Sequence, residues 1–293
     1  MNKGVLSAAL AYIMWGFFPI YFKVLSPVSP IEILCHRMVW SFVFLTGVLT
    51  VTRQWGWLRS AVQKPRTVLI YFGAASLLAV NWFTYIWAVN SGFIIESSLG
   101  YFINPLVSIL LGVLILREKL RPVQWIPVGI AALGVAYLTW TYGRLPWIAL
   151  ILALTFAFYG LVKKIAPLSS LNGLSLETGL LFLPALGILI FLEATGTAGF
   201  GHSGMGMSIL LALSGVITAV PLLLFATGAR SIPLYLLGLL QYIAPTLQLL
   251  IGVLIYQEAF TIHQFIGFGM IWLALGIYSF EAYIRSRRYP ARS

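Results

Sequence analysis

The 293-residue chain has no aspartate, one cysteine and three histidines, and only 9% of its residues are charged. Soluble domains carry about 25% charged residues, so a water-soluble fold is excluded. The same scarcity removes most enzyme chemistry. No H-E-x-x-H pair, zinc-ligand spacing or nucleophilic triad can be assembled, so no metal, cofactor or catalytic residue is expected. No G-x-x-x-x-G-K-[ST] loop is present to cradle phosphates, which argues against ATP-driven pumping by this chain alone. Cys35 has no second thiol to pair with, and cysteine usage therefore says nothing about compartment.

Acids are few as well. All seven are glutamates, set against 18 Lys and Arg, for a formal charge of +11. The basic residues punctuate apolar runs and form no stripe. That suits loops facing anionic lipid, and no nucleic-acid partner is expected.

What the chain has in abundance is apolar length, with 60% hydrophobic residues. A bilayer core needs about 20 apolar residues per helix. On that measure an all-α chain of ten transmembrane helices is expected, at 4–24, 31–52, 68–90, 94–115, 122–141, 146–164, 172–193, 207–229, 233–256 and 262–283. The first run is read as a retained helix and not as a cleaved signal, because it approaches a full span. Ser29-Pro30-Ile31-Glu32 and Thr261-Ile262-His263-Gln264 have the capping-box form, and Arg121-Pro122 supplies a proline-led start. Trp55, Trp57, Trp125 and Trp147 lie near span ends, where amphipathic rings favour the interface.

With the N-terminus inside, 15 Lys and Arg collect on one side and only Arg144 on the other, Lys23 and Arg37 falling within or at the end of spans. The positive-inside rule then places both termini in the cytoplasm. Sliding the sequence against itself by 140 positions pairs Pro105 with Pro245, Gly112–Ile115 with Gly252–Ile255, Glu118 with Glu258 and Gln124 with Gln264. Two halves are expected, 1–143 and 144–293. Five spans is an odd number, so the second half enters the membrane inverted. The loop after span 4 holds Arg117, Lys119 and Arg121, while its counterpart Gln257–Thr261 has no Lys or Arg. Inverted repeats of this kind belong to transporters with a midplane site.

Pro105 and Pro245 mark paired expected helix breaks, the best sequence pointer to such a site. Tyr101, Asn104, Gln241 and Tyr242 stand beside them as polar groups that hydrocarbon disfavours. Asn81, Trp82 and Tyr85 add a polar and aromatic face in span 3. Arg37 lies deep in span 2 as a candidate anion-binding or ion-pair residue, about 140° around the helix from Glu32. Glu32, His36, Glu96 and Glu177 are candidates for coupling or ion pairing. For Glu32 the alternative is the capping-box acid of Ser29; for the prolines and their neighbours it is tolerated kinks with helix–helix hydrogen bonds. Trp15-Gly16 and Tyr159-Gly160 occupy similar places in the two halves, the glycines read as close-contact points.

The segments "CHRMVWS", "NWFTYIWAVN", "ESSLGYFINPL", "FYGLVKK" and "QYIAP" resemble the RarD-type branch of the EamA transporters, in the drug/metabolite transporter superfamily. The resemblance covers nearly the full length. It implies a permease of a bacterial plasma (inner) membrane, associated by name with chloramphenicol sensitivity or resistance, moving amino acids, metabolites or drugs, often outward. It also implies cavity roles for His36, Arg37, Asn81, Trp82, Asn90, Glu96, Tyr101, Asn104 and Gln241. The expected partners are a small-molecule substrate and the lipid bilayer, with the chain a monomer or homodimer. The alternative classes are an integral membrane enzyme and a non-transporting membrane assembly partner.

Overall fold

A computed structural model of the chain describes residues 3–91, 93–142, 147–257 and 261–288, and all regular structure among them is helical. In chain order the helices are α1 (Lys3–Gly16), α2 (Phe18–Val24), α3 (Pro30–Val51), α4 (Gly56–Val62), α5 (Pro65–Asn90) and α6 (Ile94–Leu114). A 3-10 turn, Pro122–Gln124, leads into α7 (Trp125–Tyr142), followed by α8 (Trp147–Ile165), α9 (Ser170–Ala194) and α10 (Met205–Ser231). The last three are α11 (Leu234–Gln241), α12 (Ile243–Leu254) and α13 (Ile262–Arg288). Among the described residues eight segments are long and apolar enough to cross a membrane, α1–α2 and α11–α12 each counting as one; α6 and α13 carry shorter apolar stretches, Leu99–Leu114 and Ile262–Ala274. The short helix α4 lies in what the sequence reads as a plain connection.

The start signals fall where they are read, with the Ser29–Glu32 capping box formed by its Ser29 half only. The Ser29 hydroxyl accepts the Glu32 backbone N–H at 3.3 Å, with Pro30 in the first turn. Thr261 and Gln264 cap each other, Thr261 N–H donating to Gln264 Oε1 at 2.8 Å and Gln264 N–H to Thr261 Oγ1 at 3.3 Å.

The helix breaks differ from expectation. Helix α6 runs through Pro105 without interruption, as α9 and α10 run through Pro184 and Pro221. A single proline removes one hydrogen bond, which a packed helix tolerates. One interruption falls at Tyr242, between α11 and α12 and close to the expected Pro245, while the other falls at Phe17, between α1 and α2, and not at Pro105. In both places the chain restarts so that a proline, Pro19 or Pro245, lies in the first turn of the new helix. The N–H that proline lacks has no intrahelical partner there. Pro19 still withholds its donor from the Trp15 carbonyl four residues earlier, and the Gln248 side-chain amide of α12 donates to that oxygen at 3.0 Å.

Packing relies on small residues, since lipid offers no hydrophobic drive to bring helices together. A methyl group at Gly238 of α11 would stand 2.8 Å from the Pro105 carbonyl oxygen of α6, and one at Gly100 would stand 2.9 Å from the Ala149 carbonyl oxygen of α8. One at Gly16 would meet Leu247 at 2.6 Å, in keeping with a close-contact role. The tightest approach is Gly215 of α10 against the Trp40 backbone of α3, where Ser41 Oγ also donates to the Gly215 carbonyl at 3.2 Å. Backbone cannot move aside as a side-chain tip can. Gly215→Ala is therefore expected to lose about 1–3 kcal/mol, measured as a lower unfolding temperature in detergent, whereas Gly187→Ala on the exposed face of α9, with open space around it, leaves the transition unchanged.

Candidate functional site

The two broken segments meet around a cavity of about 530 Å³ of atom-free space, its mouth included. Tyr12 and Trp15 of α1 and Phe18 and Phe22 of α2 form one wall. Asn81, Trp82 and Tyr85 of α5, with Tyr101 of α6 and Phe156 of α8, form another. Gln241 ends α11 above it, and Ala244, Pro245 and Gln248 of α12 complete the lining. The spacing 244, 245, 248 places the α12 side chains on one helical face.

Among the described residues, Arg37 is the only formally charged one in this lining. It is 2% exposed and held from behind by Thr218 of α10, whose hydroxyl accepts its Nε–H at 3.0 Å. The guanidinium lies 3.8 Å from the Trp82 ring centroid, with Phe22 at 5.2 Å and Phe18 at 5.8 Å. Arg is suited to such stacking because its planar cation is weakly hydrated and rests on aromatic faces.

Of the expected cavity residues, Arg37, Asn81, Trp82, Tyr85, Tyr101 and Gln241 line this space, as does Pro245. Three others, Asn104, Tyr242 and His36, lie elsewhere. Asn104 is fully buried and ties α6 to α8, its Nδ2 donating to the Ala153 carbonyl at 2.6 Å and its Oδ1 accepting from Ser108 at 3.4 Å. Tyr242, at the break itself, packs against Phe102 of α6 at 6.1 Å between ring centroids. Pro105 contributes its carbonyl to the α6–α11 contact and does not line the cavity. The side chains of Asn90 and Glu96, and the whole of Arg144 and Glu258, lie outside the described residues. Sequence reasoning missed Tyr12, Trp15, Phe18, Phe22, Phe156 and Gln248. For Gln248 the signal was available, a polar residue seven positions after Gln241 in an apolar span.

Glu32 and His36 serve a different contact. The Glu32 carboxylate does not return to its own helix start; it accepts the Gly199 and Phe200 backbone N–H groups, 2.9 Å each at Oε1, in the connection between α9 and α10. His36 Nε2 stands 3.7 Å from Glu32, its Nδ1 accepts the Trp40 indole N–H at 3.2 Å, and its ring lies 4.8 Å from that of Phe200. Glu118 grips the other half of the chain in a similar way, accepting the Leu234 and Tyr235 N–H groups at the start of α11 at 2.7 and 3.0 Å, with Lys164 at 3.6 Å.

Glu177 belongs to a buried ion pair. Its Oε1 accepts from Lys163 Nζ at 2.8 Å and its Oε2 from the Tyr159 hydroxyl at 3.2 Å, joining α9 to α8. Removing one partner of such a pair strands the other charge, at a cost of about 3–5 kcal/mol. Glu177→Ala is thus expected to lower the unfolding temperature strongly, and the double substitution Lys163→Met with Glu177→Leu to recover most of the loss, both read by thermal denaturation of purified protein.

Comparison with known proteins adds lineage to this geometry. The EamA-like transporter family matches residues 2–140. The chain is 51% identical over 284 residues to the uncharacterized transporter YojE of Bacillus subtilis, covering 96% of this chain and 94% of that one. It is 46% identical over 291 residues to Protein RarD of Streptomyces exfoliatus, covering 99% of this chain and 92% of that one. A solved crystal structure shares the fold with a TM-score of 0.71 at 18% identity, over 96% of this chain and 99% of the other. With its apolar helices gathered around a largely aromatic cavity, the chain belongs to the RarD-type branch of the EamA-like transporter family, in the drug/metabolite transporter superfamily, and is a multi-pass membrane transporter of that kind.

Proposed function

We propose that the chain moves a small metabolite, amino acid or drug across the bacterial plasma membrane by alternating access, outward in the cell, with the cavity beside Arg37 as its binding site. In this reading α6 and α13 join the eight longer segments to make ten spans in two inverted halves, with both termini in the cytoplasm. The observation that carries it is the cavity's construction from both halves: Arg37, Asn81 and Tyr101 come from the first, Phe156, Gln241 and Gln248 from the second.

Support for the repeat comes from backbone geometry at matched positions. Arg117 and Gln257, 140 positions apart, both take left-handed φ values, 54° and 51°. At the same offset, Arg121 N–H donates to Gln124 Oε1 at 2.9 Å and Thr261 N–H to Gln264 Oε1 at 2.8 Å. The packing follows the same exchange. Replacing each span by its counterpart in the other half turns the α6–α8 contact into α12–α1, the α1–α10 contact into α8–α5, and the α3–α10 contact into α9–α5. The halves are unequal in one respect, since α1–α2 and α11–α12 are broken while their counterparts α8 and α6 are continuous. Exchange of those conformations between the halves is the motion that an inverted-repeat transporter uses to turn its site from one side to the other. In the proposed topology Glu32 closes the outer face on Gly199 and Phe200, and Glu118 closes the cytoplasmic face on the start of α11.

Purified protein in liposomes is expected to move at least one compound from a panel of metabolites, amino acids and antibiotics that includes chloramphenicol, and Trp82→Ala to slow that movement about tenfold or more. No movement of any compound, in either direction and under either a proton or a sodium gradient, contradicts the proposal.

A further inference from the structure

The buried charges of the protein are compensated unevenly. Among the described residues, the buried acid and base side chains Lys163, Glu177, Glu32 and His36 all have protein partners. Lys163 sits on Glu177 at 2.8 Å, and Glu32 accepts two backbone N–H groups with His36 3.7 Å away. Arg37 is as deeply buried and is the exception. Its Nε is bound to Thr218, and among the described residues neither terminal nitrogen has a hydrogen-bond partner and no carboxylate lies within ion-pair distance. Stacking on Trp82 at 3.8 Å offsets part of that cost, since cation–π contacts contribute about 2 kcal/mol when desolvated. It supplies neither a counter-charge nor an acceptor for the remaining N–H groups. With Nε engaged, the free edge is the pair of terminal nitrogens, a fork whose spacing matches the two oxygens of a carboxylate.

Two more unpartnered groups lie in the same cavity, the Tyr12 hydroxyl and the Asn81 side-chain oxygen. Asn81 is 1% exposed, and its Nδ2 is fixed by two acceptors at 2.9 Å, the Leu152 carbonyl and Thr155 Oγ1. Those bonds settle which end of the amide is which, and they leave Oδ1 buried with no donor. A buried acceptor left without a donor costs about 1–3 kcal/mol. The rest of the lining is mostly aromatic.

Taking the cavity as the transport site, as proposed above, we infer that its occupant is an organic anion, a carboxylate with a flat apolar body, whose charged end is bound by the terminal nitrogens of Arg37 and whose own N–H or O–H group donates to Asn81 Oδ1. The substrate is then the counter-ion that the protein itself lacks. A neutral drug leaves the Arg37 charge uncompensated and binds more weakly.

Matched acids and primary amides test this with the full-length protein in detergent: 3-phenylpropanoate against 3-phenylpropanamide, and indole-3-acetate against indole-3-acetamide, with neutral chloramphenicol alongside. Titration calorimetry is expected to give at least about tenfold tighter binding for each acid than for its amide. In Arg37→Gln that preference is expected to collapse, while the unliganded variant unfolds at the same temperature as the parent or higher, because an uncompensated charge has been removed. Equal binding of acid and amide, a preference that survives in Arg37→Gln, or no binding of any acid overturns the inference. If Arg37→Gln fails to fold, the residue is structural and the inference falls, unless Arg37→Lys folds and keeps the acid preference with a reduced affinity. Liposome transport separates this inference from the reading it rests on: movement of neutral probes alone keeps the transporter and removes the anion, whereas acids that bind at Arg37 and are never moved keep the anion site and remove transport through it.

Discussion

A hydrocarbon surrounding offers no partner to a buried polar group, so each such group must find one inside the protein. Much of the arrangement follows from that constraint. Helices satisfy the backbone internally. Where a proline opens a gap, a neighbouring side chain fills it, as the Gln248 amide does for the Trp15 carbonyl. Where the chain leaves a helix, a carboxylate from a distant segment takes the exposed N–H groups, Glu32 at Gly199 and Phe200 and Glu118 at Leu234 and Tyr235. These grips join the first part of the chain to the second. Several buried polar atoms stay without a partner, and three of the free groups, the edge of Arg37, the Asn81 oxygen and the Tyr12 hydroxyl, share one cavity.

The cavity is a consequence of backbone geometry as much as of side chains. Helices approach closely wherever glycine lets backbone meet backbone or side-chain stem, at Gly215, Gly238 and Gly100, and this fixes α10 on α3, α11 on α6 and α6 on α8. The breaks at Phe17 and Tyr242 lie in segments that pack on one another, α1–α2 against α11–α12. Their aromatic and amide side chains converge on the space between them. Thr218 then sets the guanidinium from behind, so that one nitrogen is occupied by the protein and two remain for a ligand.

Much of the fold was legible in the sequence. The apolar runs predict the helices to within a few residues, and Ser29, Arg121 and Thr261 mark real starts, because capping is a local interaction between residues three apart. The cavity was legible in part. Arg37, Asn81, Trp82, Tyr85, Tyr101 and Gln241 were found because ionisable and polar groups in a span carry a cost that some function must justify. Asn104 satisfies the same criterion, yet it bonds the Ala153 carbonyl across a helix contact. Local sequence cannot tell a group facing a cavity from one facing a neighbouring helix. The breaks were misplaced at Pro105 because proline disrupts a helix only when packing allows it, and α11 holds α6 along that stretch. Glu32 reads as the acid of a capping box, but its partners lie at 199 and 200, a distance no short window can span. The aromatic wall carries no sequence signal of its own, because phenylalanine in a membrane helix is ordinary.

The central claim is that one cavity, built by both halves, opens alternately to the two sides of the membrane. Thiol accessibility tests it most directly, since the only native cysteine, Cys35, is buried and replaceable by alanine. In that background Tyr101→Cys and Ala244→Cys each place one thiol in the cavity, one from each half. The account predicts that a membrane-impermeant thiol reagent modifies both positions from either face of sealed vesicles. Modification from one face only, under all ligand conditions, or from neither, would contradict it.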